Sequence, residues 1–126
     1  MKQFMILALV TTGAFFATAK SADAACNTWG PYTGVAYRST SCTCGSASGS
    51  SSYRPAHAVD GPGDGAARIN SGNNSTNDIQ FYLRCYNDAG NRYTTVYSAW
   101  NTGSYVYKAC TASYPLSTRT ACKIRP

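Results

Sequence analysis

The chain contains no glutamate, and His57 is its only histidine. Both methionines, Met1 and Met5, lie in the first five residues. Large aliphatic side chains are scarce past the N-terminal stretch. Residues 25–126 hold only Val35, Val59, Ile69, Ile79, Phe81, Leu83, Val96, Val106, Leu116 and Ile124 from the Val, Ile, Leu and Phe set. Each shortage excludes something. A glycosidase of the two-carboxylate kind would have to work with aspartates alone. A catalytic histidine could only be His57. No apolar run of about 20 residues exists in 25–126 to span a membrane. With 126 residues there is room for one domain and no multidomain enzyme.

Such a low aliphatic content is ordinarily the mark of a disordered chain. Two features of residues 25–126 oppose that. All ten Tyr and both Trp lie there and supply large apolar area with a polar handle. All six cysteines, Cys26, Cys42, Cys44, Cys85, Cys110 and Cys122, lie there too. An even cysteine count in a small exported chain reads as a disulfide framework. Export is itself the reading of the N-terminus. Lys2 precedes the apolar run Phe4 to Val10, and Ala22-Asp23-Ala24 has the small-x-small form of a cleavage site. The sequence therefore predicts a signal peptide at 1–24 and a single secreted domain, extracellular or periplasmic, at 25–126. That domain carries nine Lys and Arg against four Asp, a net charge of +5.

The patterning predicts an all-β fold, a small disulfide-stabilised antiparallel β-sandwich or meander sheet with a long irregular loop. Ile79, Phe81, Leu83 and Cys85 alternate with Gln80, Tyr82, Arg84 and Tyr86, which is the period of a strand. Asn87-Asp88-Ala89-Gly90-Asn91 supplies a hairpin turn. Arg92 to Trp100 and Tyr105 to Cys110 read as further strands of a meander, separated by a turn at Asn101 to Ser104. Ser117 to Ile124 reads as the return strand of a last hairpin, stapled by Cys110 and Cys122. One or two strands are expected between Tyr32 and Cys44. Residues 45–78, rich in Ser, Gly, Ala, Asn and Asp, read as the long loop, either functional or mobile. No helix is expected. Cys42 and Cys44 share a face at i and i+2, so each reaches a separate partner. Cys26 is assigned to one of them and Cys85 to the other. A zinc site at Cys42-Thr43-Cys44 fits neither the spacing nor the compartment.

Three places invite chemistry. Tyr82, Arg84, Tyr86, Tyr93, Tyr97, Tyr105 and Tyr107 fall on a few neighbouring strands, and aromatics with Arg stack on sugar rings or bases. About half of these tyrosines would instead serve as core in an aliphatic-poor domain. Asp60 and Asp64, with Gly61, Gly63 and Gly65 beside them, could fold oxygens around calcium, or form only a solvated turn. His57 with Asp60 or Asp64 and a serine of Ser50-Ser51-Ser52 would make a hydrolase, if base and nucleophile met.

A resemblance bears on the second place. Ser48 to Gly61, ending Arg54-Pro55-Ala56-His57-Ala58-Val59-Asp60-Gly61, resembles the opening of discoidin-like (coagulation-factor type C) domains. Ser71 to Leu83, ending Ile79-Gln80-Phe81-Tyr82-Leu83, resembles the segment that follows in them. Ala66-Ala67-Arg68-Ile69 stands where those domains carry a Trp. The resemblance implies a galactose-binding-like β-sandwich used for adhesion to sugars or lipids, with Asp60 at a structural calcium.

Taken together, these readings predict a secreted, non-catalytic, monomeric binding module for carbohydrate or another acidic cell-surface polymer. No nucleic acid partner and no membrane span in 25–126 are expected. The alternatives are a cationic secreted effector, as an antimicrobial protein or enzyme inhibitor, and a small hydrolase centred on His57.

Overall fold

The computed structural model describes residues 26–72, 75–102 and 105–126. The leader read at 1–24 and part of the turn at Asn101 to Ser104 lie outside the described residues. Eight strands are found: β1 (Thr40–Cys44), β2 (Ala47–Arg54), β3 (Asp64–Ser71), β4 (Asp78–Tyr86), β5 (Tyr93–Tyr97), β6 (Asn101–Thr102), β7 (Val106–Ala109) and β8 (Leu116–Arg125). The described residues contain no helix, and no helix long and apolar enough to cross a membrane.

The strands form two antiparallel sheets. In one, the order is β1-β2-β3-β7. In the other, β4 is central. β8 pairs with it from Asp78 to Tyr86, while β5 and then β6 follow each other along its opposite edge. Between β5 and β6 the edge strand bulges. There the Ser98 hydroxyl accepts the Phe81 N–H (3.0 Å) and the Ser98 N–H donates to the Phe81 carbonyl (2.8 Å), so both backbone groups of Phe81 stay paired. The β4–β5 turn has the expected chemistry. Gly90 takes φ 74°, and the Asn87 side chain accepts the N–H groups of Asn91 and Arg92.

Two expectations are corrected. Residues 45–78 are not a long irregular loop, because β2 and β3 occupy most of that stretch and pair with each other. The strand at 106–109 is not the third of a meander. It crosses to the other sheet and pairs β3, and β8 pairs β4 instead of returning on it.

The reason lies in how the sheets share the core. The sheet built on β4 and β8 contributes the bulk: Ile79, Phe81, Leu83 and Ile124 are fully buried. The facing strands β2 and β3 contribute Tyr53 and Ile69, and between them the small residues Ala47, Gly49, Ser51, Gly65 and Ala67. A Cβ at Gly49 would lie 2.7 Å from the Ile79 Cδ1 and 3.1 Å from the Ile124 Cδ1, and one at Gly65 would lie 3.0 Å from the Leu83 Cδ2. Small residues thus let large ones reach the opposing backbone, which is how few aliphatics fill the space between two sheets. Ser51 is small and polar, and its buried hydroxyl is satisfied by Thr120 of β8 (3.2 Å).

Disulfides complete the closure, with a pairing that differs from the one expected. Cys42 of β1 joins Cys122 of β8 across the core. Cys85 of β4 joins Cys110, just past β7. Both bonds therefore tie one sheet to the other. Cys26 joins Cys44, one of its two expected partners. Cys42 and Cys44 do reach separate partners. Cys110 could not staple a hairpin with Cys122, because their strands belong to different sheets.

Two outcomes follow from this packing. Gly49→Ala is expected to cost about 1–3 kcal/mol by overpacking, read as a lower urea midpoint. By loop length, with sequence separations of 80 and 18, removing Cys42–Cys122 should cost about 4.5 kcal/mol and removing Cys26–Cys44 about 3 kcal/mol. Equal losses from the paired alanine variants would contradict that ordering.

Candidate functional site

The outer face of the β5–β4–β8 sheet is built by strand alternation. While Ile79, Phe81, Leu83 and Cys85 point inward, Tyr82, Arg84 and Tyr86 point outward. The β5 register sets Tyr97 opposite Tyr82 and Tyr93 opposite Tyr86. The β8 register sets Arg119 opposite Arg84, Lys123 opposite Gln80 and Arg125 opposite Asp78. The segment before β1 then lies along the free edge of β8. The Asn27 N–H donates to the Ile124 carbonyl (2.7 Å), the Gly30 N–H to Cys122 (2.9 Å), and Thr33 bridges Thr120. This edge brings Trp29 and Tyr32 onto the same face. Ala121, small and outward on β8, is only 1% exposed beneath that cover.

The result is a layer of rings and cations. Trp29 packs edge-on to Tyr82 (5.0 Å between centroids) and lies 6.1 Å from Tyr97. Tyr86 and Tyr93 are 5.3 Å apart. Arg84 lies over Tyr93 (4.4 Å), Arg119 over Tyr32 (3.8 Å) and Arg125 over Trp100 (4.1 Å). Lys123 sits between Trp29 (4.5 Å) and Trp100 (5.5 Å). Each such contact contributes about 0.5–1 kcal/mol where solvent reaches it. Burial pushes the Tyr82 phenol up, with Arg119 and Arg84 pulling the other way. Asp78 is the carboxylate of this face. The Thr102 hydroxyl (2.5 Å) and then Arg125 (3.1 Å) hold it below the usual carboxylate range. Its charge is thereby committed to Arg125.

Five of the seven expected residues, Tyr82, Arg84, Tyr86, Tyr93 and Tyr97, share this face. Tyr105 and Tyr107 do not. Because β7 belongs to the other sheet, they border a shallow groove floored by Ser52 and Ala66 on the opposite side of the sandwich. Sequence reading missed Trp29, Tyr32, Trp100, Arg119, Lys123 and Arg125. The odd-numbered spacing of Arg119, Lys123 and Arg125 was a usable signal for one face of a strand. Nothing local marks Trp29 and Tyr32, whose place depends on pairing with residues about ninety positions away.

The aspartates of the calcium reading have separate surroundings. Asp64 is nearly buried and accepts the Arg54 fork through both oxygens (2.8 and 2.7 Å), as well as the Tyr107 hydroxyl (2.7 Å). Asp60 is exposed, 3.9 Å from the His57 Nδ1. Both line one small cavity with Tyr37 and Pro62. Among the described residues, no three His, Cys, Asp or Glu side chains converge to hold a metal.

His57 opens a tight turn whose backbone bonds to Gly61 in both directions. Its Nδ1 accepts the Val59 N–H (3.2 Å), whereas a triad needs Nδ1–H donated to the carboxylate. Ser51 is bonded to Thr120 in the core, and the Ser50 hydroxyl accepts the Asn70 side chain. Among the described hydrogen bonds, none joins His57 to Ser50 or Ser51.

The Arg54–Asp64 pair has a pH signature. The Arg54 hydrogen bonds, with Tyr107 in support and burial opposing, lower Asp64 from its ordinary 3.8. The unfolded chain therefore takes up this proton first as acid is added. The stabilisation is complete above about pH 4 and is lost as pH falls through the folded-state value. Asp64→Asn is expected to flatten the fall of the urea midpoint below about pH 4, while lowering the midpoint near neutrality. An unchanged acid limb would contradict the assignment. Comparisons of this chain with protein families, characterised proteins and solved structures return no match.

Proposed function

We propose that the chain is a secreted, non-catalytic binding module for carbohydrate or another cell-surface polymer, which it engages with the outer face of the β5–β4–β8 sheet. One observation carries the reading: four cations, Arg84, Arg119, Lys123 and Arg125, each rest on an aromatic ring, and the face's carboxylate is taken by Arg125. Rings offer flat apolar platforms to sugar rings. Arg84 and Arg119 stack on rings while other N–H donors lie in the guanidinium plane, and Lys123 adds a point charge, so the face draws in acidic groups. A broad sheet face, held by backbone ladders, suits an extended polymer better than a small molecule, which favours an enclosed pocket. Three disulfides support a setting outside the reducing cytosol.

The test is binding of the oxidised protein to immobilised neutral and acidic polysaccharides, across a salt series. Selective binding to acidic glycans is expected, and Tyr97→Ala and Lys123→Ala should each weaken it about fivefold, the worth of roughly 1 kcal/mol per contact, with the fold intact. Full binding by both folded variants would remove this face as the site. Attraction that vanishes in moderate salt without glycan preference would favour the cationic-effector reading instead.

A further inference from the structure

Within that face, two residues form a distinct arrangement. Arg84 of β4 and Arg119 of β8 are direct cross-strand partners. Side chains so placed begin about 5 Å apart, and like charges there repel. The described ion pairs of this sheet and its neighbour use Arg54, His57 and Arg125, and none includes Arg84 or Arg119. The Arg84 Nε is also buried with no hydrogen-bond partner. Leaving such a donor unmet costs about 1–3 kcal/mol, and native proteins seldom do so without a reason.

The rings do not remove the problem. Tyr93 under Arg84 and Tyr32 under Arg119 offset the positive charge through their faces. A guanidinium stacked on a ring still has its N–H donors in its own plane, where the ring accepts nothing. Tyr82, opposite Ala121 and two residues from the Arg84–Arg119 pair along the strand register, adds a hydroxyl whose titration both guanidiniums influence. Two guanidiniums thus flank one phenol, and no described ion pair gives either of them an acceptor of matching charge. Lys123 and Arg125 differ, since the first is a point charge between two indoles and the second is neutralised by Asp78.

We propose that Arg84 and Arg119 form an oxyanion subsite for a group with three free oxygens, a sulfate or phosphate monoester carried by the bound polymer. This rests on the binding-module reading and names the group that the face recognises. A carboxylate has two oxygens and is matched by one guanidinium fork. A tetrahedral monoester has a third oxygen and can bridge the two guanidiniums beside the Tyr82 hydroxyl, which relieves the repulsion and gives Arg84 and Arg119 a charged acceptor.

The experiment titrates sodium sulfate, sodium phosphate and sodium acetate at matched ionic strength into the full oxidised chain. Arginine Nε–H resonances and the thermal midpoint are followed. Saturable shifts of the Arg84 and Arg119 resonances with sulfate, phosphate or both, and not with acetate, are expected. Arg119→Lys keeps the charge and removes the fork, so it should weaken anion binding by about tenfold or more, equivalent to 1.4 kcal/mol. Arg68→Gln, on the outer face of the other sheet, should leave it unchanged. An equal response to acetate, or an unaltered response in Arg119→Lys, overturns the subsite. A polymer arm compares sulfated, phosphorylated and uronic-acid polysaccharides of equal charge density. Polymer binding that ignores Arg119→Lys would sink the subsite and leave the module reading standing. Saturable anion binding without any polymer binding would do the reverse.

Discussion

The structure depends on how closely its two sheets approach. One sheet supplies Phe81, Leu83, Ile79 and Ile124, and the other sets Gly49, Gly65, Ser51 and alanines against them, with Tyr53, Ile69 and Val106 as its own large core residues. Large side chains of the first sheet seated on small residues of the second produce interior-like packing from a chain with little aliphatic material. A core of this size gives limited hydrophobic stabilisation. Two disulfides, Cys42–Cys122 and Cys85–Cys110, join the sheets covalently. They hold a separation at which the small side chains are needed, so packing and cross-linking constrain each other.

The same constraint shapes the exterior. β4 and β8 spend their apolar residues inward, so by alternation their outward positions are free for rings and cations. The Cys26–Cys44 bond anchors the segment that runs beside β8 and carries Trp29 and Tyr32. Fold and candidate site therefore share one scaffold. A side chain placed on a paired strand keeps its spacing before a ligand arrives, which lowers the ordering cost of binding.

Charge is distributed unevenly over the molecule. Asp64 closes an ion pair with Arg54 on one sheet, and Asp78 closes another with Arg125 on the other. Asp88 lies on the exposed β4–β5 turn, and Asp60 stands beside His57. What remains on the β4–β8 face is positive charge supported by rings instead of carboxylates. Charge of this kind acts on association more than on the fold, which is why a net charge of +5 over residues 25–126 says little about architecture.

The alternation of residues 79–86 and the Asn87–Asn91 turn were legible because strand period and turn chemistry are local properties. The even cysteine count likewise announced a cross-linked domain, and Cys42 and Cys44 announced separate partners. The strands at 47–54 and 64–71 were not legible. Ser, Gly and Ala have weak strand preference, and their value comes only from the Phe81 and Leu83 side chains facing them across the core. The same holds for Tyr105 and Tyr107, which share a composition with Tyr82 and Tyr97 but lie on the opposite face, because β7 crosses between sheets. Sequence by itself determined an all-β, cysteine-rich, cationic chain with an inward and an outward face on its longest strands. Tertiary structure alone decided which cysteines bond, which sheet each tyrosine joins, and that Arg84 and Arg119 are register partners, because those depend on contacts between segments far apart in the chain.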